Sequence, residues 1–412
     1  MIDLKAARAH PDVVRAALAR KGSEELFDEL IGADERWRQL QTQVDGLRAR
    51  TKLKGKPTPD QLEELTRIKG ELKALEDDLE QTKMQMQYYW DRVPNPPDAT
   101  APDGWDEADA EVLREVGDRP ELGFEPRDHL ELGTSLGWFD QERGARLSGA
   151  RFVYRMGDAA LLELALYRFA LDRLATKGFV PVLPPVLVRE QAMYGTGFLP
   201  TDDVNIYHVE RDDLYLTGTS EVALAGLHME EILDADDLPL RYAGYSTCFR
   251  REAGAAGKDT RGIFRVHQFD KVEMFSFARP EDSRDEHEYL LAVEEELVQE
   301  LGIPYRVVNV AAGDLGASAA KKYDIEAWFP GQQRYREITS TSNTTDFQAR
   351  RLEIRSRSGD RGPEPVHTLN GTAVTARSLI AIIENFQHED GSIAVPHVLE
   401  RYGAPSRVGA AG

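Results

Sequence analysis

The sequence contains a single cysteine, Cys248, among its 412 residues. One cysteine excludes a disulfide within the chain and a zinc site built from several cysteines, and the nine histidines show no spacing typical of metal ligands. No run of about 18 apolar residues could span a bilayer, and the N-terminal stretch lacks the apolar segment of a secretory signal. We therefore expect a cytoplasmic protein that contains no zinc and does not enter a membrane.

Two common nucleotide-binding motifs are also absent. The sequence contains neither GxGxxG nor GxxxxGK[ST], which excludes a Rossmann site and a P-loop. The formal net charge of -21 argues against indiscriminate binding to nucleic acid, because the long-range field repels phosphate. A local basic patch could still recruit one specific nucleic acid. Any nucleotide site must be built from residues other than those two motifs.

Two segments near the N-terminus show a heptad pattern, with apolar residues at alternating steps of three and four. The break between them, KLKGKPTPD (52–60), contains prolines that end one helix, and Thr58 or Asp60 can cap the next. We predict an antiparallel coiled-coil hairpin whose longer arm measures roughly 45 to 50 Å. The heptad positions are Leu30, Ala33, Trp37, Leu40, Val44 and Leu47, then Leu65, Ile68, Leu72, Leu75, Leu79, Thr82, Met86, Tyr89 and Val93.

Basic residues cluster around the tip of this predicted hairpin. They are Arg48, Arg50, Lys52, Lys54 and Lys56, with no acidic residue among them. A solvated hairpin tip and a phosphate-binding finger on a stiff lever both fit this pattern.

The pattern changes after a linker at 93–111 that is rich in proline and acidic residues. Short β-branched runs then alternate with helical segments predicted over 158–177, 284–301 and 373–387, without strict βα alternation. This arrangement favours an α+β domain with an antiparallel sheet and flanking helices. We predict a helical domain over 1–105 and a second domain over 106–412.

The stretch FRREAGAAGKDTRGIFRVHQFDKVEMF (249–275) is typical of a long β-hairpin around a glycine-bearing loop. Because alternate residues of a strand share a face, Phe269, Lys271 and Glu273 should lie together, as should Arg250 and Glu252. An arginine can bind phosphate or carboxylate, a phenylalanine can stack on a purine, and a carboxylate can hold an amino group. An exposed hairpin with cross-strand salt bridges is the alternative interpretation.

Three further segments carry polar residues at the ends of elements. LTGTSEVAL (216–224) places Glu221 before an apolar run, which also fits simple helix capping. In YREITSTSN (335–343), Glu337 precedes a cluster of hydroxyls that suit Mg²⁺. HTLNGTAVTAR (367–377) places Arg377 in the first turns of a predicted helix, where a positive charge is unfavourable unless an anion is its partner.

Together these segments resemble the three motifs of class II aminoacyl-tRNA synthetases. KGFVPVLPPVLV (177–188) resembles motif 1, the FRRE loop with its return strand resembles motif 2, and the helix carrying Arg377 resembles motif 3. Six short sequences follow the predicted coiled coil in an order that resembles the seryl-tRNA synthetase family. They are TGTSE, FRREAG, KDTRG, HQFDKVE, TSTSN and LNGT. The resemblance covers essentially the whole chain.

The resemblance implies a role for individual residues. Arg250 would bind the α-phosphate of ATP and the serine carboxylate, Phe269 would stack on adenine, and Arg377 would bind the γ-phosphate, with Arg250 and Arg377 as catalytic residues. Glu252 would hold the adenine amino group, and Glu337 and Ser340 would coordinate Mg²⁺. The implied ATP site comprises Arg250, Arg251, Glu252, Val266, Phe269, Glu337, Ile338, Thr339, Ser340 and Arg377. The implied L-serine pocket comprises Thr219, Ser220, Glu221, Arg250, Glu273 and Thr372.

The same resemblance implies activation of L-serine with ATP and transfer to tRNA(Ser), with tRNA(Sec) as a second acceptor to consider. The basic hairpin tip would bind the tRNA, and the chain would act as a homodimer.

The tip lacks the asparagine and serine-lysine pattern common in the family, and motif 3 reads LNGT where LNGS is more familiar. Two alternatives stay open: a ligase that charges a carrier protein with an amino acid, and a catalytically silent paralogue that binds RNA or protein.

Overall fold

The computed structural model describes residues 1–52, 58–253 and 262–409. The chain divides into two compact units, residues 1–96 and 97–412. The border between the two units lies inside the predicted linker, a few residues before residue 105. The domain boundary at 105 stays a prediction. In the described part of the chain, no helix is both long enough and apolar enough to cross a membrane.

The first unit is helical. Its helices are α1 (Leu4–Ala9), α2 (Pro11–Ala19), α3 (Glu24–Thr51) and α4 (Pro59–Arg92). Every residue of the two predicted heptad series is buried or half-buried, as a coiled-coil seam requires. The predicted Thr58 cap is confirmed, because its hydroxyl accepts the backbone N–H of Gln61 and the Gln61 side chain accepts the backbone N–H of Thr58.

Helices α3 and α4 run antiparallel. Near the closed end of the hairpin, Arg50 pairs with Glu64 at 2.7 Å. At the open end, Phe27 of α3 and Met86 of α4 share one apolar cluster. The predicted coiled-coil hairpin is therefore confirmed.

The second unit is built on an eight-stranded sheet with the strand order β1-β11-β12-β13-β16-β10-β9-β4. All neighbouring pairs are antiparallel except β4 and β9, which are parallel at one edge. The strands, numbered in chain order, are β1 (Glu111–Val116), β2 (Phe139–Asp140), β3 (Tyr154–Arg155), β4 (Val180–Val182), β5 (Leu187–Val188), β6 (Tyr207–Val209), β7 (Leu214–Leu216), β8 (Ile232–Asp234), β9 (Leu240–Phe249), β10 (Gln268–Ala278), β11 (Tyr305–Asn309), β12 (Lys321–Phe329), β13 (Arg334–Asn343), β14 (Arg355–Arg357), β15 (Glu364–Pro365), β16 (His367–Thr375), β17 (Ile393–Ala394) and β18 (Arg407–Val408).

Eight helices of the described residues complete the predicted α+β fold. They are α5 (His129–Ser135), α6 (Gln141–Ser148), α7 (Asp158–Thr176), α8 (Glu190–Thr196), α9 (Glu221–Ala225), α10 (Ser283–Glu300), α11 (Phe347–Leu352) and α12 (Ala376–Asn385). The main apolar core joins α7, α10 and α12 to the sheet. The helix predicted over 373–387 begins only at Ala376, because residues up to Thr375 pair as strand β16 with β10.

The central hairpin of β9 and β10 sorts its side chains by alternation. Val272 and Met274 enter the main core, whereas Phe269, Lys271 and Glu273 face a cavity on the other side. The prediction that these three residues share a face is confirmed.

The prediction for Glu252 is wrong in its geometry. Strand β9 ends at Phe249, and Glu252 adopts a left-handed backbone with φ 51° instead of continuing the strand. The turn nevertheless brings Glu252 to the same cavity as Arg250. A left-handed backbone is uncommon for glutamate, and here it directs the Glu252 side chain into the cavity.

Candidate functional site

A cavity of about 430 Å³ opens on the face of the sheet formed by β10, β13 and β16. Residues far apart in the sequence meet there, because these three strands lie next to each other in the sheet. Most of the residues predicted for the ATP and serine sites line it: Thr219, Glu221, Arg250, Glu252, Val266, Phe269, Glu273, Glu337, Ile338, Ser340, Thr372 and Arg377.

Glu221 is one of two buried carboxyl groups in the cavity and lies at the start of α9. Its Oε1 accepts hydrogen bonds from Gln348 Nε2 at 2.7 Å and from Asn370 Nδ2 at 2.9 Å. Burial raises the pKa of Glu221 to about 7, and the neighbouring Glu273 adds to the increase. The group therefore changes charge near neutral pH, and a bound ammonium would favour its ionised form.

The capping interpretation of this segment is only partly confirmed, because Thr219 Oγ1 accepts the backbone N–H of Glu221 at 3.2 Å but Ser220 and Glu221 take other partners. Ser220 occupies the N-cap position of α9, yet its hydroxyl donates to Gly244 O and caps no backbone N–H of the helix. The Glu221 side chain likewise turns into the cavity instead of back to the helix N-terminus. Local sequence suggested a cap because strand, hydroxyls and glutamate occur in the right order, but tertiary contacts redirect both side chains.

Glu273 is the second buried carboxyl group, only 2% exposed. It forms an ion pair with Lys271 and accepts a hydrogen bond from Thr372 Oγ1 at 3.3 Å. Lys271 Nζ also donates to Thr219 Oγ1 at 2.7 Å. Burial raises the pKa of Glu273, and Lys271 opposes the increase. This end of the cavity is small and polar, which suits a ligand that carries an ammonium and a hydroxyl.

Positive charges surround Glu337 at the opposite end. Arg377 Nη1 lies 3.2 Å from Glu337 Oε2 and also donates to the backbone carbonyl of Glu337 at 3.1 Å. Withdrawal from bulk water raises the pKa of Glu337, but Arg377 and Lys322 outweigh that effect and lower the pKa to about 2. With 40% of its side chain exposed, the Glu337 carboxylate is accessible to a cation.

The segment around motif 2 supplies the third wall. Arg250 Nε donates to Gly218 O at 3.0 Å, and its guanidinium lies 5.3 Å from the centre of the Phe269 ring. Glu252 accepts a hydrogen bond from Arg265 Nη1 at 2.8 Å. This wall of the cavity thus offers an aromatic ring, an arginine and a carboxylate side by side, which suits a purine nucleotide.

Three predicted residues do not line the cavity. Ser220 is buried behind it against Gly244, Thr339 is buried with its hydroxyl donating to Glu294 at 3.3 Å, and Arg251 is exposed with its guanidinium 5.8 Å from the Tyr207 ring. Residues 254–261 of the predicted glycine-bearing loop lie outside the described residues.

The predicted tRNA-binding residues are only partly described. Arg48 pairs with Glu76 and Arg50 with Glu64, each at 2.7 Å, and Lys52 is exposed at the end of α3. Lys54 and Lys56 lie outside the described residues. Two of the basic side chains at the tip are thus balanced by carboxylates of α4, which the local sequence around the tip did not reveal.

Sequence reasoning missed several residues of the site. Lys322 lines the cavity and donates a hydrogen bond to Asp324 Oδ2 at 3.1 Å, while Gln348 reaches Glu221 from 127 positions away. The alternation in KKYDIE (321–326) gives a weak signal for Lys322, but no local pattern identifies Gln348. Over the ranges that the structure describes, no group of three or more histidine, cysteine, aspartate or glutamate side chains is arranged to hold a metal.

Comparisons with known proteins agree with this geometry. The seryl-tRNA synthetase N-terminal domain matches residues 1–97, and the tRNA synthetase class II core domain (G, H, P, S and T) matches residues 207–386. The chain is 51% identical to the serine–tRNA ligase of Thermobifida fusca (strain YX) over 411 residues, which cover 98% of this chain and 97% of that protein.

Two solved structures are similar over nearly the whole chain. The seryl-tRNA synthetase from Pyrococcus horikoshii complexed with ATP has a TM-score of 0.94 and 44% identity, covering 99% of both chains. The cytoplasmic serine–tRNA ligase from Naegleria fowleri in complex with AMP has a TM-score of 0.87 and 36% identity, covering 97% of this chain and 95% of that one. With a synthetase cavity, a helical hairpin and full-length relatives, the chain belongs to the seryl-tRNA synthetase family.

Proposed function

We propose that this protein activates L-serine with ATP and transfers the seryl group to tRNA(Ser). The observation that carries the proposal is the single cavity in which a small carboxylate pocket lies beside a cationic, nucleotide-sized space. Glu221 and Glu273 suit an amino acid with an ammonium and a hydroxyl, and Arg250 and Arg377 suit phosphates. Which carboxylate takes the ammonium and which takes the hydroxyl stays open.

The first reaction needs positioning and charge neutralisation more than a side-chain nucleophile. An oxygen of the serine carboxylate attacks the α-phosphorus of ATP, a phosphorus–oxygen bond forms, and the bond to pyrophosphate breaks. The charge of Arg250 lowers the pKa of Glu221 and Glu273 in the serine pocket and also that of Glu337, so Arg250 can hold the serine carboxylate and the α-phosphate together. Arg377 lies at the far end, where it can neutralise the departing pyrophosphate.

A magnesium ion fits the donors at Glu337 and Ser340. Both side chains line the cavity with hard oxygen atoms, and the low pKa of Glu337 keeps its carboxylate ionised. Mg²⁺ commonly uses one or two protein oxygens together with substrate phosphates. When bound, it would neutralise phosphate charge. Arg377, which pairs with Glu337 in this structure, would then be released to bind phosphate.

Transfer to tRNA follows in the proposal. A hydroxyl of the terminal ribose attacks the seryl carbonyl carbon, and AMP leaves with the electrons of the broken anhydride bond. The coiled-coil hairpin would bind the tRNA through Arg48, Arg50, Lys52, Lys54 and Lys56, although Arg48 and Arg50 must exchange their carboxylate partners for phosphate.

We further propose a cytoplasmic homodimer. Large apolar side chains are exposed in the second unit between residues 147 and 187, among them Leu161 at 62%, Leu164 at 57% and Leu183 at 81%. Exposed apolar side chains in such number are typical of a surface that another subunit covers. The segment KGFVPVLPPVLV (177–188), which resembles motif 1, falls in this region.

The decisive experiment measures serine-dependent ATP–pyrophosphate exchange and then charging of tRNA in the same preparation. Exchange with serine followed by charging of tRNA(Ser) is the expected result. Exchange without charging would favour a ligase for a carrier protein, and an absence of exchange with every amino acid would favour a silent paralogue. Threonine and alanine serve as matched amino-acid controls, because each differs from serine by one small group.

A further inference from the structure

Glu294 of α10 is fully buried beneath the sheet, and its carboxyl group belongs to no element of the proposed reaction. Its Oε2 accepts a hydrogen bond from Thr339 Oγ1 at 3.3 Å, and the backbone N–H of Thr372 lies next to the same carboxyl group. Within the described residues its Oε1 has no hydrogen-bond partner. Burying a carboxyl group with an unused oxygen is costly, so its retention needs a reason.

The carboxyl group lies where two strands of the sheet part. Strands β13 and β16 pair only where Thr341, Ser342 and Asn343 meet Gly371, Asn370 and Leu369. Beyond Thr341 and Gly371 the two strands have no mutual register, and the cavity opens on this part of the sheet. Glu294 reaches this fork from below, against Thr339 on one strand and Thr372 on the other.

Gly371 shows how closely the carboxyl group fits the fork. A Cβ atom added at Gly371 would lie 2.9 Å from Glu294 Oε1 and 3.1 Å from Thr341 Oγ1. A side chain at this position would therefore displace the carboxyl group or the strand. Burial raises the pKa of Glu294 well above its ordinary value, with Glu273 and Asp324 adding to the increase, which favours the neutral form of the carboxyl group.

The two arms of the fork carry different parts of the proposed site. Strand β13 carries Glu337 and Ser340, which would hold Mg²⁺ beside the phosphates, whereas β16 carries Thr372 of the serine pocket. We propose that Glu294 is a positioning residue that bridges the two arms and sets the distance between the serine pocket and the phosphate site. This inference rests on the proposed function. Each arm keeps its own ligands without the bridge, but the serine carboxylate and the α-phosphorus lose their alignment.

The bridge predicts a specific kinetic signature in ATP–pyrophosphate exchange. Glu294→Met keeps the volume and removes both polar atoms, so we expect kcat to fall about tenfold or more, because small misplacements of reacting groups are costly. The KM values for serine and for ATP should each change by less than about threefold, since neither pocket loses a ligand. Glu294→Gln keeps an acceptor and a neutral donor of the same shape, so it should retain at least about a third of the wild-type kcat.

The outcomes separate this inference from the proposed function. A wild-type protein without serine-dependent exchange would overturn the proposed function itself. A wild-type protein with exchange, together with a Glu294→Met variant within twofold of it, would overturn only the bridge. Equal losses in Glu294→Met and Glu294→Gln would also overturn it, because the amide keeps the shape of the side chain and an acceptor for Thr339. If Glu294→Met does not fold, Thr339→Val removes one hydroxyl from the same bridge, and an unchanged kcat in that variant would refute the inference.

Discussion

Glu221→Gln should make the protein more stable at alkaline pH, although it alters the proposed substrate site. Glutamine keeps the Oε1 acceptor that receives the hydrogen bonds of Gln348 and Asn370, and it removes a charge that is 92% withdrawn from solvent in the free protein. The pKa of Glu221 is about 7 in the folded chain and 4.5 ordinarily. Because the folded state holds the proton more tightly, wild-type stability must fall as the pH rises from about 4.5 to about 7 and then level off.

The size of the effect follows from that difference in pKa. Each pKa unit corresponds to about 1.36 kcal/mol, so the raised pKa lowers the stability by about 3 kcal/mol at pH 8, where the carboxylate is ionised, and by about 1 kcal/mol at pH 5.5, where it is protonated in the folded state. The free energy of unfolding of Glu221→Gln minus that of the wild type should therefore grow by about 2 kcal/mol between these pH values. Calorimetric unfolding of both proteins across this range measures the difference.

The matched control is Glu210→Gln, which changes an exposed glutamate and should give a flat difference over the same pH range. A flat difference for Glu221→Gln as well would refute the reasoning, because it would mean that Glu221 does not change its protonation in the folded protein. Glu221→Gln should also raise the KM for serine by about tenfold or more while the KM for ATP stays within about threefold, since a charged hydrogen bond is lost only in the serine pocket.

Three other predictions test the remaining parts of the site. Arg377→Ala should reduce pyrophosphate exchange by at least about 100-fold while the fold stays intact, because the charge that would neutralise the departing pyrophosphate is lost; exchange at the wild-type rate would contradict its phosphate role, and Arg377→Lys is the control for charge alone. Deleting about residues 30–93 should spare serine activation and abolish tRNA charging, and normal charging by the deletion would exclude the hairpin as the tRNA-binding lever. Glu337→Gln should raise the Mg²⁺ concentration for half-maximal exchange about tenfold or more, and an unchanged Mg²⁺ dependence would remove Glu337 from the metal site.

The hairpin was predictable because its determinants are local. The alternation of three and four from Leu30 to Val93, interrupted by prolines, depends only on helical periodicity, and the structure buries those positions. The tip is different, because Glu64 and Glu76 lie in the second helix and reach Arg50 and Arg48 only after the chain folds back. A charge count along the tip therefore overstated its free positive charge.

The residues of the site could be predicted from the sequence more fully than their geometry. Strand alternation alone placed Phe269, Lys271 and Glu273 on one face. It failed for Glu252, whose left-handed backbone turns it away from strand geometry. The capping interpretation failed for Ser220, whose hydroxyl donates to the neighbouring strand instead of capping the helix. Both failures occur at ends of elements, where local preferences are weak and tertiary contacts decide the conformation.

The sequence by itself determined the α+β class, the helical hairpin and the order of the motifs, because periodicity and turn residues act over short distances. Only the tertiary structure decided how these motifs meet. Placing β16 between β10 and β13 brings Thr372 beside Glu273, and Gln348 reaches Glu221. The pKa of Glu221 and the fork held by Glu294 depend on burial and on neighbours from distant segments, and no local pattern contains that information.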